Sequence, residues 1–348
     1  MKMRKWGILA VVLVLVAILA LYPLDMYISR PGGAYNLEPL VEVEGGDSDD
    51  RGTFSLMTIA IGKATPITYA FSFVSDKMKL MPATKVRRHG ESDEEYSVRQ
   101  KKLMTDSKIH AISVAFDKTG LPMERIFKGV YVAGVIPNGA ADEKLQIGDL
   151  IGSIDKKKLS SAEQFMDEIS AKEEGAEISL QVKRGDQELT IPLQLKKLPG
   201  TDQRIGLGIQ FEEQIELQTE PKVDIFTEDI GGPSAGLMFT LELMNRLLDE
   251  DLTKGYNIAG TGEMLEDGSV GRIGGIDFKV IAADRQDIEI FFAPDDDLPE
   301  EVKKKNPQLV SNYEEAKATA EKIGTKMKIV PVKTVDDALR YLEQLEEK

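Results

Sequence analysis

The sequence predicts an α+β protein with a single N-terminal transmembrane helix, a β-rich module with short helices, and a C-terminal α/β domain. Three observations predict it. Residues 6–24, WGILAVVLVLVAILALYPL, form an uncharged run after Lys2, Arg4 and Lys5. Residues 119–198 break short apolar segments at Gly, Asn and Asp turn signals. Beyond residue 199, strand-like runs such as IEIFFAP and KIVPV alternate with helical segments such as VDDALRYLEQL.

Composition bounds the reading. With 348 residues the chain has room for two compact domains and an anchor, and 42% hydrophobic with 30% charged residues is the balance of a folded body. A net charge of -15 argues against nucleic acid as a partner, because phosphate binding needs a basic surface. The absence of cysteine excludes disulfides, cysteine nucleophiles and thiolate metal sites. Imidazole comes only from His89 and His110.

Residues 6–24 as a helix reach roughly 28 Å, about one hydrocarbon core. The basic residues before them and Asp25 after them place residues 1–5 in the cytoplasm. The expectation is therefore a single-pass protein of the cell membrane with its body outside. A cleaved signal peptide fits less well, since Ala17 and Ala20 lack the small-x-small spacing. Residues 25–50, rich in Gly, Pro and acid, read as a stem. In residues 51–118, TFSLMTIAIG reads as a strand and residues 93–116 as a polar helix ending near Gly120 and Pro122. That strand has no obvious partner in the stem or the next module. Pairing with the C-terminal domain would spare it exposure, which would make the β-rich module an insertion.

In the module, a strand runs into a Pro-Asn-Gly turn, a Gly-Asp pair precedes a second strand, Ser160 and Ser161 open a helix, and Gly185-Asp186 turns a hairpin. The run IPNGAA followed by L-x-x-GD-x-I-x-x-ID resembles a PDZ domain over about eighty residues. The resemblance implies an extended peptide added to a sheet edge beside residues 161–169. It would put the carboxylate-binding loop just before or at residues 129–132, although MERIFKGVYV lacks the Gly-Leu-Gly-Phe signature. A spacer without a ligand is the alternative.

The segment KVDIFTEDIGGPSAGLMFTLELMNRLLDE reads as a strand broken at Gly231-Gly232, then a helix with Pro233 in its first turn. Ser234 then stands at a helix N-terminus, where free N–H groups stabilise an oxyanion. Gly232 and Gly236 allow a substrate backbone to approach. The G-x-S-x-G elbow of α/β-hydrolases also fits, but it needs a later histidine and none follows His110. The economical base is a lysine in an apolar setting, and TGEMLEDGSVGRIGGIDFKVIAADR provides Lys279 on a short helix opened by Gly275. Work near neutral pH would require lowering its pKa by roughly 3 units.

GGPSAG together with TGE and GGIDFK resembles the proteolytic domain of the Lon family of serine proteases, from about residue 206 to the C-terminus. The resemblance implies a dyad of Ser234 as nucleophile and Lys279 as base, with the Thr261 hydroxyl on the lysine amine. Many Lon domains carry an acid three places before the serine; this chain has Gly231 there and Asp229 two residues earlier. The whole order of parts resembles the membrane-anchored PDZ-Lon proteases of Gram-positive bacteria. That implies an ATP-independent serine endopeptidase acting on exported peptides or flexible proteins, with the cytoplasmic membrane as a partner. A homo-oligomer is compatible with it, since relatives form rings. No phosphate loop occurs in the sequence, so no nucleotide is expected, and no cofactor or metal: Glu263 with Glu266, Glu212 with Glu213, and residues 295–297 read as solvated surface. The alternative is an inactive PDZ scaffold at the membrane surface.

Overall fold

Strand pairing forms two six-stranded sheets, and continuous burial along Ile290–Pro294 contrasts with alternation along Glu177–Arg184. The computed structural model describes residues 2–46, 51–198, 204–227 and 230–348. In the first sheet the order is Lys328–Val332, Ile290–Pro294, Asn257–Gly260, Thr53–Lys63, Met26–Asn36, Lys79–Pro82. The first four strands run parallel and the last two join antiparallel. Ile290–Pro294 is buried at every position, as a strand covered on both faces must be. Thr53–Lys63 lies in the interior of the sheet, with Thr53 opposite Asn257 and Leu56 opposite Gly260. The helix Gly236–Leu247 packs its buried residues against this sheet, where Phe54, Phe239 and Phe292 are fully covered. Truncating any one of these rings to alanine costs roughly 3–5 kcal/mol.

The second sheet is antiparallel: Ile209–Thr219, Met123–Val135, Leu150–Ile154, Glu177–Arg184, Gln187–Gln194, with the short Lys157–Lys158 paired to Leu150–Ile154 as the sixth strand. Its helix, Ala162–Ser170, is capped by the Ser161 hydroxyl, which accepts from the Gln164 N–H at 3.1 Å. Gly185, at φ 57, closes the hairpin. Ile209–Thr219 pairs along Met123–Val135 from Thr219 opposite Met123 to Ile209 opposite Val135. The segment expected to start the C-terminal domain thus forms an edge of the β-rich module instead.

Between the sheets runs the helix Asp93–Thr119, opened by a Ser92/Glu95 capping box and closed by Gly120 at φ 70. It packs on Gly236–Leu247 and on both Met123–Val135 and Ile209–Thr219.

The N-terminal expectations need correction. The apolar run is helical only to Leu21, because Pro23 disfavours helical backbone at Tyr22. Residues 6–21 then extend about 24 Å, short of a hydrocarbon core of about 30 Å. Lys2, Arg4 and Lys5 occupy the same helix. Among the described residues no helix is long and apolar enough to cross a membrane, which overturns the transmembrane helix and the single-pass membrane location. The expected stem is also structured: Met26–Asn36 is a sheet strand, and Ala64 N–H donates to Met26 O at 2.8 Å.

Candidate active site

Two glycines make the turn before the serine. Gly232 has φ 89, a conformation costly for any residue with a Cβ. The helix starts at Gly236 with Ala235 as its uncapped N-cap, so Ser234 stands just outside the first turn rather than in it. A Cβ at Gly236 would lie 2.7 Å from the Met264 backbone nitrogen, and the glycine lets the two segments meet. Asp229 lies outside the described residues.

Gly275, at φ 68, starts the helix Ile276–Asp284 and aims Lys279 at the same turn. The Lys279 amine donates to Ser234 Oγ at 2.7 Å and to Thr261 Oγ1 at 2.8 Å. The Thr261 hydroxyl proton goes to Ser234 O at 3.0 Å, so its oxygen is left to accept from the amine. Lys279 is only 2% exposed and its partners are hydroxyls. Burial without a carboxylate disfavours the ammonium and pushes the pKa down to about 7. The structure therefore brings Ser234, Lys279 and Thr261 together. Gly232 lies on the same turn, but its N–H is engaged with Gln100 O at 3.0 Å.

Ser234 and Lys279 line a cleft of about 960 Å³. One wall is Thr53–Lys63, held by a bulge where the register shifts between Pro31 and Ala34. Gly33 N–H donates to Thr58 Oγ1 at 3.0 Å, and a Cβ at Gly32 would lie 2.6 Å from Thr58 O. The other wall is the long helix, through Tyr96, Gln100 and Met104. His110 is turned away from this cleft, with Nδ1 3.0 Å from Met264 O.

The expected carboxylate loop is misplaced. Residues 129–132 lie inside Met123–Val135, where a Cβ on Gly129 would lie 2.7 Å from Ile151 O. A glycine turn, Gly206-Leu207-Gly208-Ile209 with Gly208 at φ 77, leads into the edge strand beside Ala162–Ser170. Phe165 of that helix meets Phe211 of the strand at 5.4 Å between ring centroids, and Ala162 N–H donates to Glu213 Oε1 at 2.9 Å. RIGLGIQF, which holds this turn, stands after the other strands of the module.

Residues 106–195 match the PDZ domain family, and residues 227–344 match the Lon protease (S16) C-terminal proteolytic domain. The chain joins a PDZ domain to a Lon-type proteolytic domain. A serine-peptidase domain thus carries Ser234, Thr261 and Lys279. The chain is also similar to the serine endoprotease DegS of Escherichia coli K12, 36% identical over 76 residues, 22% of this chain and 21% of DegS. It spans about a fifth of the length of the curated relatives it matches. Solved PDZ domains of SdrC-like proteins from Listeria monocytogenes and Listeria innocua are 30% and 29% identical. They cover 24% and 25% of this chain and 88% and 96% of their own, with TM-scores of 0.23 each. Thr53–Lys63 and Ile209–Thr219 lie outside both family matches.

Proposed function

We propose that the chain is an ATP-independent serine endopeptidase with Ser234 as nucleophile and Lys279 as general base, and that its PDZ domain holds the peptide substrate. The observation that carries this reading is the 2.7 Å contact between Ser234 Oγ and a buried amine titrating at about 7. Near neutrality a large share of that amine is neutral and has a lone pair for the seryl proton. As Lys279 takes the proton, the Ser234 oxygen bonds to the peptide carbonyl carbon. Backbone N–H groups at the turn stabilise the oxyanion. The C–N bond breaks, and the departing amine takes the proton from the Lys279 ammonium. Water then attacks the acyl ester, gives a proton to Lys279, and releases the carboxylic acid as Ser234 regains its hydrogen. Thr261 orients the amine through its acceptor oxygen.

On the same reading, residues 26–63 belong to the proteolytic body and the PDZ domain is inserted between them and the serine. Strand pairing supports that division. A substrate carboxylate would meet the N–H groups of the loop 206–209 while the peptide adds to Ile209–Thr219. An open cleft of this volume suits an extended chain segment. The test is fluorophosphonate labelling and peptide hydrolysis by wild type and Ser234→Ala. Loss of both in the variant is expected; hydrolysis retained by Ser234→Ala would remove Ser234 from the chemistry.

A further inference from the structure

The helix Asp93–Thr119 touches the serine turn at Gln100 and Ser107, seven positions apart and therefore on one face. Gln100 O accepts from Gly232 N–H at 3.0 Å, and Ser107 Oγ donates to Pro233 O at 3.0 Å. The second contact bears on the oxyanion. Pro233 C=O and Ser234 N–H belong to one planar peptide unit, and that unit is trans. Fixing the carbonyl on one side fixes the N–H on the other. The carbonyl side holds a cavity of about 280 Å³ lined by Ser107, His110 and Pro233. Pro233 lines the cleft as well, but Ser234 lines only the cleft, together with Lys279. Among the described residues, Ser234 N–H meets no protein acceptor. The following peptide unit is fixed by the segment after Asn257–Gly260, where Ser234 O accepts from Gly262 N–H at 2.9 Å and from Thr261 Oγ1.

Resting on the proposed dyad, we infer that Ser107 is a positioning residue for the oxyanion site: its hydroxyl holds the Pro233 carbonyl and thereby aims Ser234 N–H into the cleft. The only other donor to Pro233 O among the described residues is Gly236 N–H, at 3.3 Å. Ser107 is buried in a polar helix and falls at the very start of the PDZ match, outside the residues that match the proteolytic domain and its serine and lysine motifs.

The experiment compares Ser107→Ala and Ser107→Cys with Ser113→Ala. Ser113 is an equally buried serine of the same helix whose partner is Arg125. Loss of an aimed oxyanion donor lowers kcat by about 10- to 100-fold, somewhat less than outright removal of a donor. The expected result is that fall in Ser107→Ala with KM unchanged and the pH midpoint of kcat unmoved. Affinity for a peptide boronate, which adopts the tetrahedral anion, falls in step, while affinity for the uncleaved product peptide holds. Ser107→Cys, with a weaker donor of similar size, falls between. Ser113→Ala keeps wild-type kcat. Unchanged kcat in Ser107→Ala, or an equal loss in Ser113→Ala, would overturn the inference. So would boronate affinity that does not follow kcat. If Ser234→Ala still hydrolyses peptide, the dyad itself fails; if only the Ser107 variants behave as wild type, the dyad stands and this inference alone fails.

Discussion

The two sheets differ in where their strands come from. The antiparallel sheet draws its strands from residues 123–219, one continuous stretch. The mixed sheet takes Met26–Asn36, Thr53–Lys63 and Lys79–Pro82 from before that stretch and Asn257–Gly260, Ile290–Pro294 and Lys328–Val332 from after it. The PDZ module is thus a local unit, whereas the candidate active site is assembled from both ends of the chain. The Lys279 helix and the serine turn face a wall that is built some two hundred positions earlier.

The sharpest way to break this comparison is to cut the chain. A fragment of residues 204–348 lacks Thr53–Lys63 and leaves Asn257–Gly260 as an open apolar edge. It should be insoluble or inactive, while residues 121–219 should give a dispersed NMR spectrum. A fragment starting at residue 51 keeps Thr53–Lys63 but loses Met26–Asn36, and is expected to lose activity as well. A folded, active 204–348 piece would show that the sheets are equally local.

Next in size is the cost of burying Lys279. Its folded pKa of about 7 lies below the ordinary value, so the folded state resists protonation. Stability of the wild type should fall as pH drops from about 10.4 to about 7 and level off below that. Lys279→Met removes the group and should be the more stable protein, by up to about 4 kcal/mol below pH 7 and by little above pH 10.4. Urea unfolding across that range measures it, and a gap that does not change with pH would contradict the burial account.

Gly32→Ala should destabilise by about 1–3 kcal/mol, since its Cβ would press on Thr58 backbone, and should lower activity through the displaced cleft wall. Gly62→Ala meets open space in the same sheet and should change stability by no more than about 0.5 kcal/mol. The smallest effect belongs to the link between the domains. Arg125 and Glu266 pair at 3.0 Å but are about half exposed, so a double-mutant cycle should give a coupling below about 1 kcal/mol.

What the sequence showed follows the same division between local and distant. Ser160-Ser161, Gly185-Asp186 and Gly275 are punctuation whose effect is confined to a few residues, and each element they bound was readable. That Ser234, Thr261 and Lys279 would meet was readable because the segments that hold them carry their own turns. The end of the first helix was also written locally, in Tyr22-Pro23, yet the apolar run outweighed it. Gly206-Leu207-Gly208 was legible as a loop, but its sheet partner begins some eighty positions earlier. Ser107 and Gln100 give no local signal, because what they do is decided by a turn more than a hundred residues away.

The central claim is that Ser234 is activated by a lysine that is neutral near physiological pH. The most direct measurement is the rate of fluorophosphonate labelling at Ser234, followed by mass spectrometry of the modified peptide from pH 5 to pH 10. The account predicts a rate that rises through a midpoint at about 7, and no labelling in Lys279→Met or Lys279→Arg, since arginine stays protonated throughout. A rate that is flat over the range, or labelling that persists in Lys279→Arg, would contradict it.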